Sequence, residues 1–485
     1  MKTILPIKFN VQKYRFKYLA LYHGLREAIL SGKLAPGYKL PSTRELATIY
    51  EVNRNTVRQV YEMLMADGYI RTEMGSGTFV STIPVKETAK VTLKKEIRLS
   101  DWGSRLPIEE PPSERTSSAI NFGIGFTPEL AHFPELEWRK AVNQAARELN
   151  YLILSKDPEQ QGLFELREAI ATYLRKTRGI ICESEDIYIT NGTMHAFSIL
   201  AQLLIRSGDH VVIEDPTFGS MKDTILALGG KLLPVPVHSS DFLVKDWDSN
   251  LVYVTPSHQY PTGKVMPLEQ RLALLEWAKQ KNALIIEDDY DSEFRRKGRP
   301  IEPLKVLDYE NRVIYLGTFS KTILPALRIG YAVIPSDIKP YFHAAKYFFE
   351  PYTTSALEQM AIANFLRTGS YEKHIRKMNR IYSNKYQLFK NLFNQYLPTA
   401  FDWIESESGL HLFGWWRFTE GKYQQFIKRC NEREVFWVNV VTGFSHKPPR
   451  PCGIFGFSHL TEDQMIVAIS TMGEVFNDIM DGVYV

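Results

Sequence analysis

Five short apolar runs between residues 187 and 316 constrain the fold of this 485-residue chain more than any other feature of its sequence. Each run has four residues, and a polar loop follows it. Such runs are typical of strands buried on both faces of a parallel sheet, and helical patterns alternate with them. The pattern therefore predicts a three-layer α/β domain with its site at the strand ends. The runs are Ile187–Thr190, Val211–Glu214, Leu251–Val254, Leu284–Glu287 and Val313–Leu316.

The length of the chain indicates two or three domains, because one compact core rarely serves so many residues. No run of 18 apolar residues is present, and the amino terminus lacks the apolar core of a signal peptide. We therefore expect a soluble, cytoplasmic protein. The three cysteines, Cys182, Cys430 and Cys452, are too far apart for a disulfide framework or a zinc site, so we expect them to be reduced and packed.

Basic charge is concentrated at the amino terminus. Residues 1–80 contain 12 Lys and Arg against 6 Asp and Glu, a net charge of +6, whereas the other 405 residues contain 47 against 49. A charged segment is often only a solvated surface. A small basic domain attached to a neutral large one favours the hypothesis that the first domain binds nucleic acid.

Three helices are predicted within the basic segment. Apolar spacing indicates a helix over residues 18–30 that ends at a Ser-Gly pair. A second, short helix runs from about Thr43 to Tyr50, with Ser42 or Thr43 as its cap. A third runs from about Arg54 to Asp67. Two helices joined by a tight turn fit a helix-turn-helix, whose second helix meets base edges with its first residues.

A β-hairpin follows the helices. Residues 69–72 and 78–80 read as two strands joined through a glycine-containing turn, which would form a wing beside the helix-turn-helix. The alternative is a small helical domain that contacts proteins; the clustered arginines and the wing argue against it.

This segment resembles the winged helix-turn-helix domain of the GntR family of bacterial transcription regulators. The similarity lies in residues 28–37, 40–47, 53–58 and 64–70. It implies binding to double-stranded DNA, with a dimer on a repeated or inverted site. The residues that we expect at the DNA are Ser42 and Arg44 of the second helix, Asn53, Arg54, Asn55, Thr56 and Arg58 of the third, and Gly75, Ser76 and Gly77 in the wing.

Regular periodicity is lost over residues 81–117, where prolines interrupt the sequence and lysines alternate with acidic residues. This pattern predicts an extended and partly mobile linker. We therefore divide the chain into a DNA-binding domain over 1–80, a linker over 81–117 and a large domain over 118–485.

Lys321 stands between two hydroxyls and a guanidinium. Thr318 and Ser320 precede it, and Arg328 follows seven residues later, all after the last of the five predicted strands. These neighbouring residues suit a lysine that holds an aldehyde cofactor with a phosphate group. The alternative is an exposed lysine beside a turn.

Two other loops contain groups that could bind a phosphorylated planar cofactor. Asn191-Gly192-Thr193-Met194 opens a helix whose free amides can receive a phosphate, although such a sequence is more often an ordinary cap. Phe218 follows the second predicted strand and can stack on a planar ring, although alone it would be assigned to the core.

Three carboxylates lie within four residues after the fourth strand, at Asp288, Asp289 and Asp291. Crowded carboxylates favour a nearby cation, and a protonated pyridine nitrogen is such a cation. Magnesium is the competing interpretation; we expect no metal. Tyr290, two residues after Asp288, would reach a phenolic oxygen on the same ring.

Residues 118–485 resemble the pyridoxal-phosphate-dependent aminotransferases of fold type I. The matching motifs are Asp157-Pro158, Gly162-Leu163, Leu166-Arg167, Asn191–Thr193, Pro261–Gly263, Asp288–Tyr290, and Thr318–Lys321 with Arg328.

The resemblance implies that Lys321 forms the internal aldimine with pyridoxal 5'-phosphate. It also implies that Asp288 pairs with the pyridine nitrogen, that Tyr290 bonds the ring hydroxyl and that Phe218 stacks on the ring. The residues implied at the phosphate are Gly192, Thr193, Thr318, Ser320 and Arg328, with Met194 also counted among the cofactor-binding residues.

The order of winged helix, linker and aminotransferase-like domain resembles the MocR subfamily of GntR regulators. This resemblance implies a homodimeric transcriptional regulator that senses an amine, an amino acid or pyridoxal 5'-phosphate itself. The alternative is a catalytically active aminotransferase with an accessory DNA-binding domain.

Two positions depart from the pattern of working aminotransferases. Tyr260 replaces the asparagine that precedes Pro-Thr-Gly, and Ile454 occupies the position of the arginine that clamps the substrate carboxylate. Loss of such charged hydrogen bonds weakens carboxylate binding by about 1.5–3 kcal/mol. These departures favour a sensor over an enzyme. Arg450 could supply an effector contact instead, or could be an ordinary surface arginine.

Overall fold

The computed structural model describes residues 7, 13–82, 97–108, 119–124, 130–154, 160–237, 244–296, 298 and 301–482. The chain divides into two compact units, Met1–Arg98 and Leu99–Val485. The Asp157-Pro158 motif and much of the predicted linker lie outside the described residues. No helix in the described ranges has both the length and the hydropathy needed to cross a membrane.

The first unit is a winged helix-turn-helix, as predicted. A capping box begins the second helix: Ser42 Oγ accepts a hydrogen bond from the Glu45 amide, and the Glu45 carboxylate accepts one from the Ser42 amide at 2.8 Å. The hairpin pairs Ile70 with Val80 and Glu73 with Gly77. The elements are α1 (Lys17–Leu30), α2 (Thr43–Ile49), α3 (Arg54–Ala66), β1 (Ile70–Glu73) and β2 (Gly77–Val80).

Apolar faces of the three helices pack into one core. Leu25 of α1, Leu46 of α2 and Leu64 of α3 are fully buried in it. Because these faces are used for packing, the polar faces of α2 and α3 remain at the surface.

The second unit mixes helices and strands along its whole length. The helices are α4 (Asp101–Arg105), α5 (Glu135–Leu154), α6 (Phe164–Arg178), α7 (Thr193–Leu204), α8 (Gly219–Ala227), α9 (Leu268–Lys281), α10 (Leu304–Leu307), α11 (Lys339–Phe349), α12 (Ala356–Arg367), α13 (Ser370–Tyr396), α14 (Glu420–Glu432) and α15 (Glu462–Met480). The strands are β3 (Ile120–Asn121), β4 (Ile187–Thr190), β5 (His210–Asp215), β6 (Lys231–Pro236), β7 (Leu251–Val254), β8 (Leu284–Asp289), β9 (Val313–Thr318), β10 (Gly330–Val333), β11 (Phe401–Ile404), β12 (His411–Trp416), β13 (Val435–Phe436), β14 (Val438–Asn439) and β15 (Cys452–Gly456).

All five predicted runs form strands of one seven-stranded sheet, in the order β4-β10-β9-β8-β7-β5-β6. Strands β5 to β9 pair in parallel, whereas β10 is antiparallel to both of its neighbours. Every residue of β4, β7 and β9 is buried. The predicted α/β class is confirmed, and the carboxyl ends of the five predicted strands meet at one edge of this sheet.

A second sheet belongs to the carboxyl-terminal part of the chain. Its four strands have the order β11-β12-β15-β14 and are antiparallel. Aromatic side chains of this sheet pack with α13 and α15 in a large core that includes Phe389, Phe401, Trp416 and Phe455. This core fixes the position of β15, the strand that carries Ile454.

Helix α4 lies inside the predicted linker, so the expectation of extended chain is wrong for these residues. Ser100 caps the helix by accepting a hydrogen bond from the Gly103 amide at 3.1 Å, and Asp101 occupies its first turn. The helix packs against α8. A groove of about 590 Å³ beside it is lined by Trp102 and Leu106 from this segment and by Met194 and Asp223 of α7 and α8.

Candidate functional site

A cavity of about 240 Å³ lies at the carboxyl edge of the seven-stranded sheet. Its walls come from the loops after β4, β5, β7, β8 and β9 and from the second sheet. All ten residues that the sequence pointed to as cofactor-binding line it: Gly192, Thr193, Met194, Phe218, Asp288, Tyr290, Thr318, Ser320, Lys321 and Arg328.

Lys321 follows β9 and is mostly enclosed by the cavity. Burial lowers the pKa of its ammonium group, and the Asp291 carboxylate partly opposes this shift. A lowered pKa increases the fraction of neutral amine, which is the nucleophilic form. The position therefore suits a lysine that reacts with a carbonyl.

Asp288 is buried at the end of β8 and has one free oxygen. Its Oδ2 accepts a hydrogen bond from the Tyr253 hydroxyl at 2.8 Å. Its Oδ1 has no hydrogen-bond partner among the described residues. Burial raises the pKa of this carboxyl to about 7, although the Tyr253 hydrogen bond opposes the shift. A buried, unpaired carboxylate oxygen in a cavity is suited to a cationic N–H donor.

The other two carboxylates have different partners. Asp289 lies on the opposite side of the strand, where it contacts Arg178 and accepts a hydrogen bond from the Tyr315 hydroxyl at 2.5 Å. Asp291 Oδ1 lies 2.8 Å from Nδ1 of His258. The three carboxylates thus point to three separate places, and no group of His, Cys, Asp and Glu in the described ranges is arranged to hold a metal ion.

Another set of cavity-lining groups consists of hydrogen-bond donors. Helix α7 begins at the cavity, and its first amides have no partner within the helix. Ser320 Oγ is buried and has no hydrogen-bond partner in the described structure. The Ser320 amide donates to Thr318 Oγ1 at 3.1 Å, and Arg328 supplies a guanidinium. Amides, hydroxyls and a guanidinium are the groups that bind phosphates in proteins.

Gly192 allows the guanidinium to approach the start of α7. Its φ of 82° lies in the left-handed region, and a Cβ at this position would lie only 2.9 Å from Nη2 of Arg328. A side chain at residue 192 would therefore displace the arginine from the start of α7.

Aromatic side chains form the middle of the cavity. The rings of Phe218 and Tyr260 meet edge to face, with centroids 5.4 Å apart, and Tyr260 contacts Tyr290 in the same way at 6.0 Å. A planar ligand would be enclosed by these rings.

Several residues of the site were not identified from sequence. Tyr253, Asp291 and His411 line the cavity, and His258 lies behind it. Tyr253 stands in an otherwise aliphatic run, which is a weak signal for a functional side chain. The partnership of His258 with Asp291 joins residues 33 positions apart, and periodicity gives no information about such a pair.

Ile454 is fully buried in an apolar cluster with Phe413 and Phe444. Ile124 and Tyr260, which both line the cavity, pack against this cluster. An apolar wall therefore occupies the place where the sequence comparison with aminotransferases expects an arginine.

Arg450 does not line the cavity. Its side chain is 47% exposed, donates a hydrogen bond to Asp402 at 2.6 Å and lies over the ring of Trp415. The structure does not support an effector contact by Arg450, because an ion pair at the surface already engages its guanidinium.

The ten residues predicted to contact DNA cluster on α2, α3 and the wing. Arg44, Arg54 and Arg58 are exposed. Ser42 and Asn53 also have structural roles, because Ser42 caps α2 and the Asn53 side chain accepts a hydrogen bond from the Asn55 amide at 2.9 Å. The others are Thr56, which is partly buried, and Gly75, Ser76 and Gly77 in the turn of the wing.

The sequence matches two protein-family models. Residues 117–470 match the model described as aminotransferase class I and II. Residues 17–80 match the model described as bacterial regulatory proteins, gntR family. The two matches agree with the two architectures in the structure.

Named relatives are similar to the chain over most of its length. It is 35% identical over 470 residues to the probable rhizopine catabolism regulatory protein MocR of Rhizobium meliloti, a match that covers 94% of this chain and 93% of the relative. It is 32% identical over 391 residues to the HTH-type pyridoxine biosynthesis transcriptional regulator PdxR of Corynebacterium glutamicum, covering 79% and 80%.

Solved aminotransferases share the fold of the second unit. The kynurenine aminotransferase of Pyrococcus horikoshii, solved in complex with PMP, superimposes with a TM-score of 0.69 at 25% identity. The match covers 76% of this chain and 93% of that one.

Proposed function

Because the chain belongs to the MocR-type HTH transcriptional regulators, with a GntR domain and an aminotransferase class I and II domain, we propose that it holds pyridoxal 5'-phosphate and senses a small amine or amino acid through it. The observation that carries this proposal is the convergence of Asp288, Lys321 and Arg328 on one cavity. A carboxylate, an amine and a guanidinium match the pyridine nitrogen, the aldehyde and the phosphate of this cofactor.

The residues present fit the cofactor at both of its ends. Asp288 offers a buried oxygen that lacks a partner, and Ser320 offers a buried hydroxyl that also lacks one within the described residues. Unpaired buried polar atoms are costly, so their presence at both ends supports a ligand that supplies the missing hydrogen bonds. When bound, the cofactor would act as an electron sink and as a carbonyl that exchanges amines.

Each residue would then have a defined task. Lys321 would supply the amine that holds the aldehyde carbon, and Asp288 would accept a hydrogen bond from the protonated ring nitrogen. Tyr290 would donate to the ring oxygen, and Phe218 would cover the ring. Gly192, Thr193, Met194, Thr318, Ser320 and Arg328 would surround the phosphate.

An apolar wall around Ile454 supports sensing over turnover. Aminotransferases clamp a substrate carboxylate with an arginine, and this chain has a fully buried isoleucine at the corresponding position. A ligand amine could still displace Lys321. Without a clamp, its carboxylate would gain little binding free energy, so repeated reaction with ordinary amino acids is disfavoured.

The regulator acts through its winged helix-turn-helix, which binds DNA. A single module of this size binds DNA weakly, and we propose that a homodimer places two modules on a repeated or inverted site. An effector changes DNA affinity only by its unequal affinity for the DNA-binding and non-binding arrangements.

Turnover with a panel of amino donors tests the proposal directly. We expect the protein loaded with pyridoxal 5'-phosphate to show at most a single half-reaction, because no arginine clamp orients the donor. The measurement is keto-acid release over many equivalents of donor, together with DNA affinity before and after the donor is added. Sustained release at ordinary enzyme rates, of about 1–10³ per second, would support the enzyme alternative instead.

Replacing Asp288 with asparagine should stabilise the protein without cofactor while weakening cofactor binding. The pKa of Asp288 is about 7 in the folded state against an ordinary 3.8. The folded state therefore holds this proton more tightly than the unfolded state, and stability is lost as the pH rises from about 4 through 7. Asparagine removes this loss, so we expect Asp288→Asn to raise the free energy of unfolding by roughly 2–4 kcal/mol above pH 7.

Urea unfolding at pH 5 and pH 8 without cofactor measures this effect. The difference between the variant and the natural protein should be larger at the higher pH. Asp246→Asn is a suitable control, because that carboxylate is 84% exposed. Equal stability of Asp288→Asn and the natural protein at pH 8, or undiminished cofactor affinity of the variant, would contradict the assigned role.

A further inference from the structure

Three side chains form a compact hydrogen-bonded group behind the cavity. His258 Nδ1 lies 2.8 Å from Asp291 Oδ1 and 2.9 Å from the Tyr290 hydroxyl oxygen. The side chains of His258 and Asp291 are each only 2% exposed. Asp291 and Tyr290 therefore both lie within hydrogen-bonding distance of the same buried nitrogen, Nδ1 of His258. Whether Nδ1 carries a proton decides whether Tyr290 can donate a hydrogen bond to it.

The carboxylate of Asp291 determines where that proton lies. Burial acts to raise the pKa of Asp291, but the His258 imidazole, together with His411 and Lys321, lowers it below its ordinary range. An ionised carboxylate can only accept hydrogen bonds. The close contact at 2.8 Å consequently requires a proton on Nδ1 of His258.

The environment of Nε2, the other ring nitrogen of His258, also indicates that the proton is on Nδ1. His258 Nε2 is buried and has no hydrogen-bond partner among the described residues. A proton there would be a buried donor without an acceptor, which is unfavourable. The neighbouring His411 does not supply one: the centroids of the two rings are 5.2 Å apart, and no nitrogen of His411 forms a hydrogen bond with Nε2 of His258.

Two glycines hold the His258 ring in this orientation. A Cβ at Gly409 would lie 2.0 Å from Cε1 of His258, and a Cβ at Gly263 would lie 3.1 Å from Nε2. Both glycines have φ values in the left-handed region, at 82° and 77°. The backbone at these two glycines thus packs against the imidazole on the side away from Asp291.

A protonated Nδ1 has no lone pair to accept a hydrogen bond from Tyr290. The Tyr290 oxygen can only receive a share of the Nδ1–H bond, so its own O–H is free for another acceptor. Tyr290 lines the cavity. Its phenol hydrogen is therefore available to a ligand and is not consumed by the histidine.

We propose that His258 and Asp291 are positioning residues that fix the Nδ1–H form of the imidazole and thereby make Tyr290 an obligate hydrogen-bond donor toward the cavity. The consequence for the ligand rests on the proposed function, in which the acceptor is the ring oxygen of pyridoxal 5'-phosphate. Without this pair, Tyr290 would divide its proton between the histidine and the ligand. With it, a negative charge on the ligand oxygen is stabilised by a preorganised donor.

The tautomer of His258 can be measured on the full chain without cofactor. Incorporation of ¹⁵N-labelled histidine and NMR of the ring nitrogens should show a protonated Nδ1 and an unprotonated Nε2 for His258, assigned by loss of its signals in His258→Asn. Asp291→Asn should populate the other tautomer. A natural protein with its proton on Nε2 would overturn the proposal, whatever the cofactor does.

Absorption spectra of the loaded protein test the effect on the ligand. The bound cofactor has two absorbing forms, with and without the proton shared between its ring oxygen and the nitrogen of Lys321. We expect Asp291→Asn, which allows Nδ1 of His258 to accept a hydrogen bond from the Tyr290 hydroxyl, to change their ratio at fixed pH by about tenfold toward the protonated form, because the ligand oxygen loses a hydrogen bond. His258→Leu, which offers Tyr290 no acceptor at that position, should change the ratio less.

A double variant separates positioning from general damage. In a Tyr290→Phe background, Asp291→Asn should change the ratio far less, since it acts through the tyrosine hydroxyl. An equal change in both backgrounds, or none in the natural background, would overturn the proposal. Failure of the natural protein to bind the cofactor would instead refute the proposed function, and the NMR result would still stand by itself.

Discussion

Replacing Lys321 with alanine is expected to abolish the visible absorption of bound pyridoxal 5'-phosphate and the response of DNA binding to any amine. Lys321 is the amine placed within the cavity beside Asp288 and Tyr290, and burial shifts it toward its reactive neutral form. Its loss removes the only covalent attachment that the proposed function assigns. The measurement is a spectroscopic titration of the purified variant with the cofactor, followed by DNA binding with and without amines.

Lys279→Ala provides a matched control for this variant. Lys279 is exposed on α9, pairs with Glu310 at 2.6 Å and does not line the cavity. It should leave the spectrum unchanged. DNA binding by Lys321→Ala in the absence of amines should persist, because the helix-turn-helix folds around its own core. A visible band that survives in Lys321→Ala would show that the cofactor is held by another amine and would contradict the sensing role.

Replacing Arg54 and Arg58 together with alanine is expected to lower DNA affinity by about a thousandfold. The two arginines are exposed near the start of α3, the position from which a recognition helix meets bases and phosphates. Each lost contact costs about 1–3 kcal/mol, and the proposed dimer would lose two copies of both. Arg58 forms only a surface ion pair with Glu62 at 3.6 Å, so its removal should leave the fold intact.

Fluorescence anisotropy with a labelled promoter fragment at several salt concentrations measures this loss. The salt dependence of binding should become shallower in the variant, because fewer phosphates are neutralised. Arg433→Ala is the control, since Arg433 lies in the second unit and pairs with Glu474 at the surface. Unchanged affinity of the double variant would refute the assigned roles of Arg54 and Arg58.

Local sequence patterns predict much of this fold because its strands are buried on both faces. The runs at Ile187–Thr190 and Val313–Leu316, for example, form strands without a polar interruption. Strands β6 and β10 lie outside the predicted runs for physical reasons. Strand β6 lies at the edge of the sheet and contains two prolines, which only an edge tolerates well, and β10 begins at a glycine.

Contacts between distant loops limit what the sequence can reveal about the site. The motifs predict the ten cavity residues because each follows a strand whose end reaches the same edge. The link from Asp291 to His258 crosses between two such loops and becomes visible only in three dimensions. The helix at Asp101–Arg105 escapes prediction for another reason: five residues with a cap are too few to create a detectable period.

Met194 lines both the cavity and the groove beside α4. The first turn of α7 therefore contacts the cavity as well as the groove next to α4, in the segment that connects to the first unit. Thermodynamic linkage between the two places is reciprocal. If filling the cavity changes the stability of the packing between α4 and α8, then displacement of α4 changes cofactor affinity by the same factor. An operator would then act as an effector of the cofactor site, and the cofactor content of the protein would report whether the protein is on DNA.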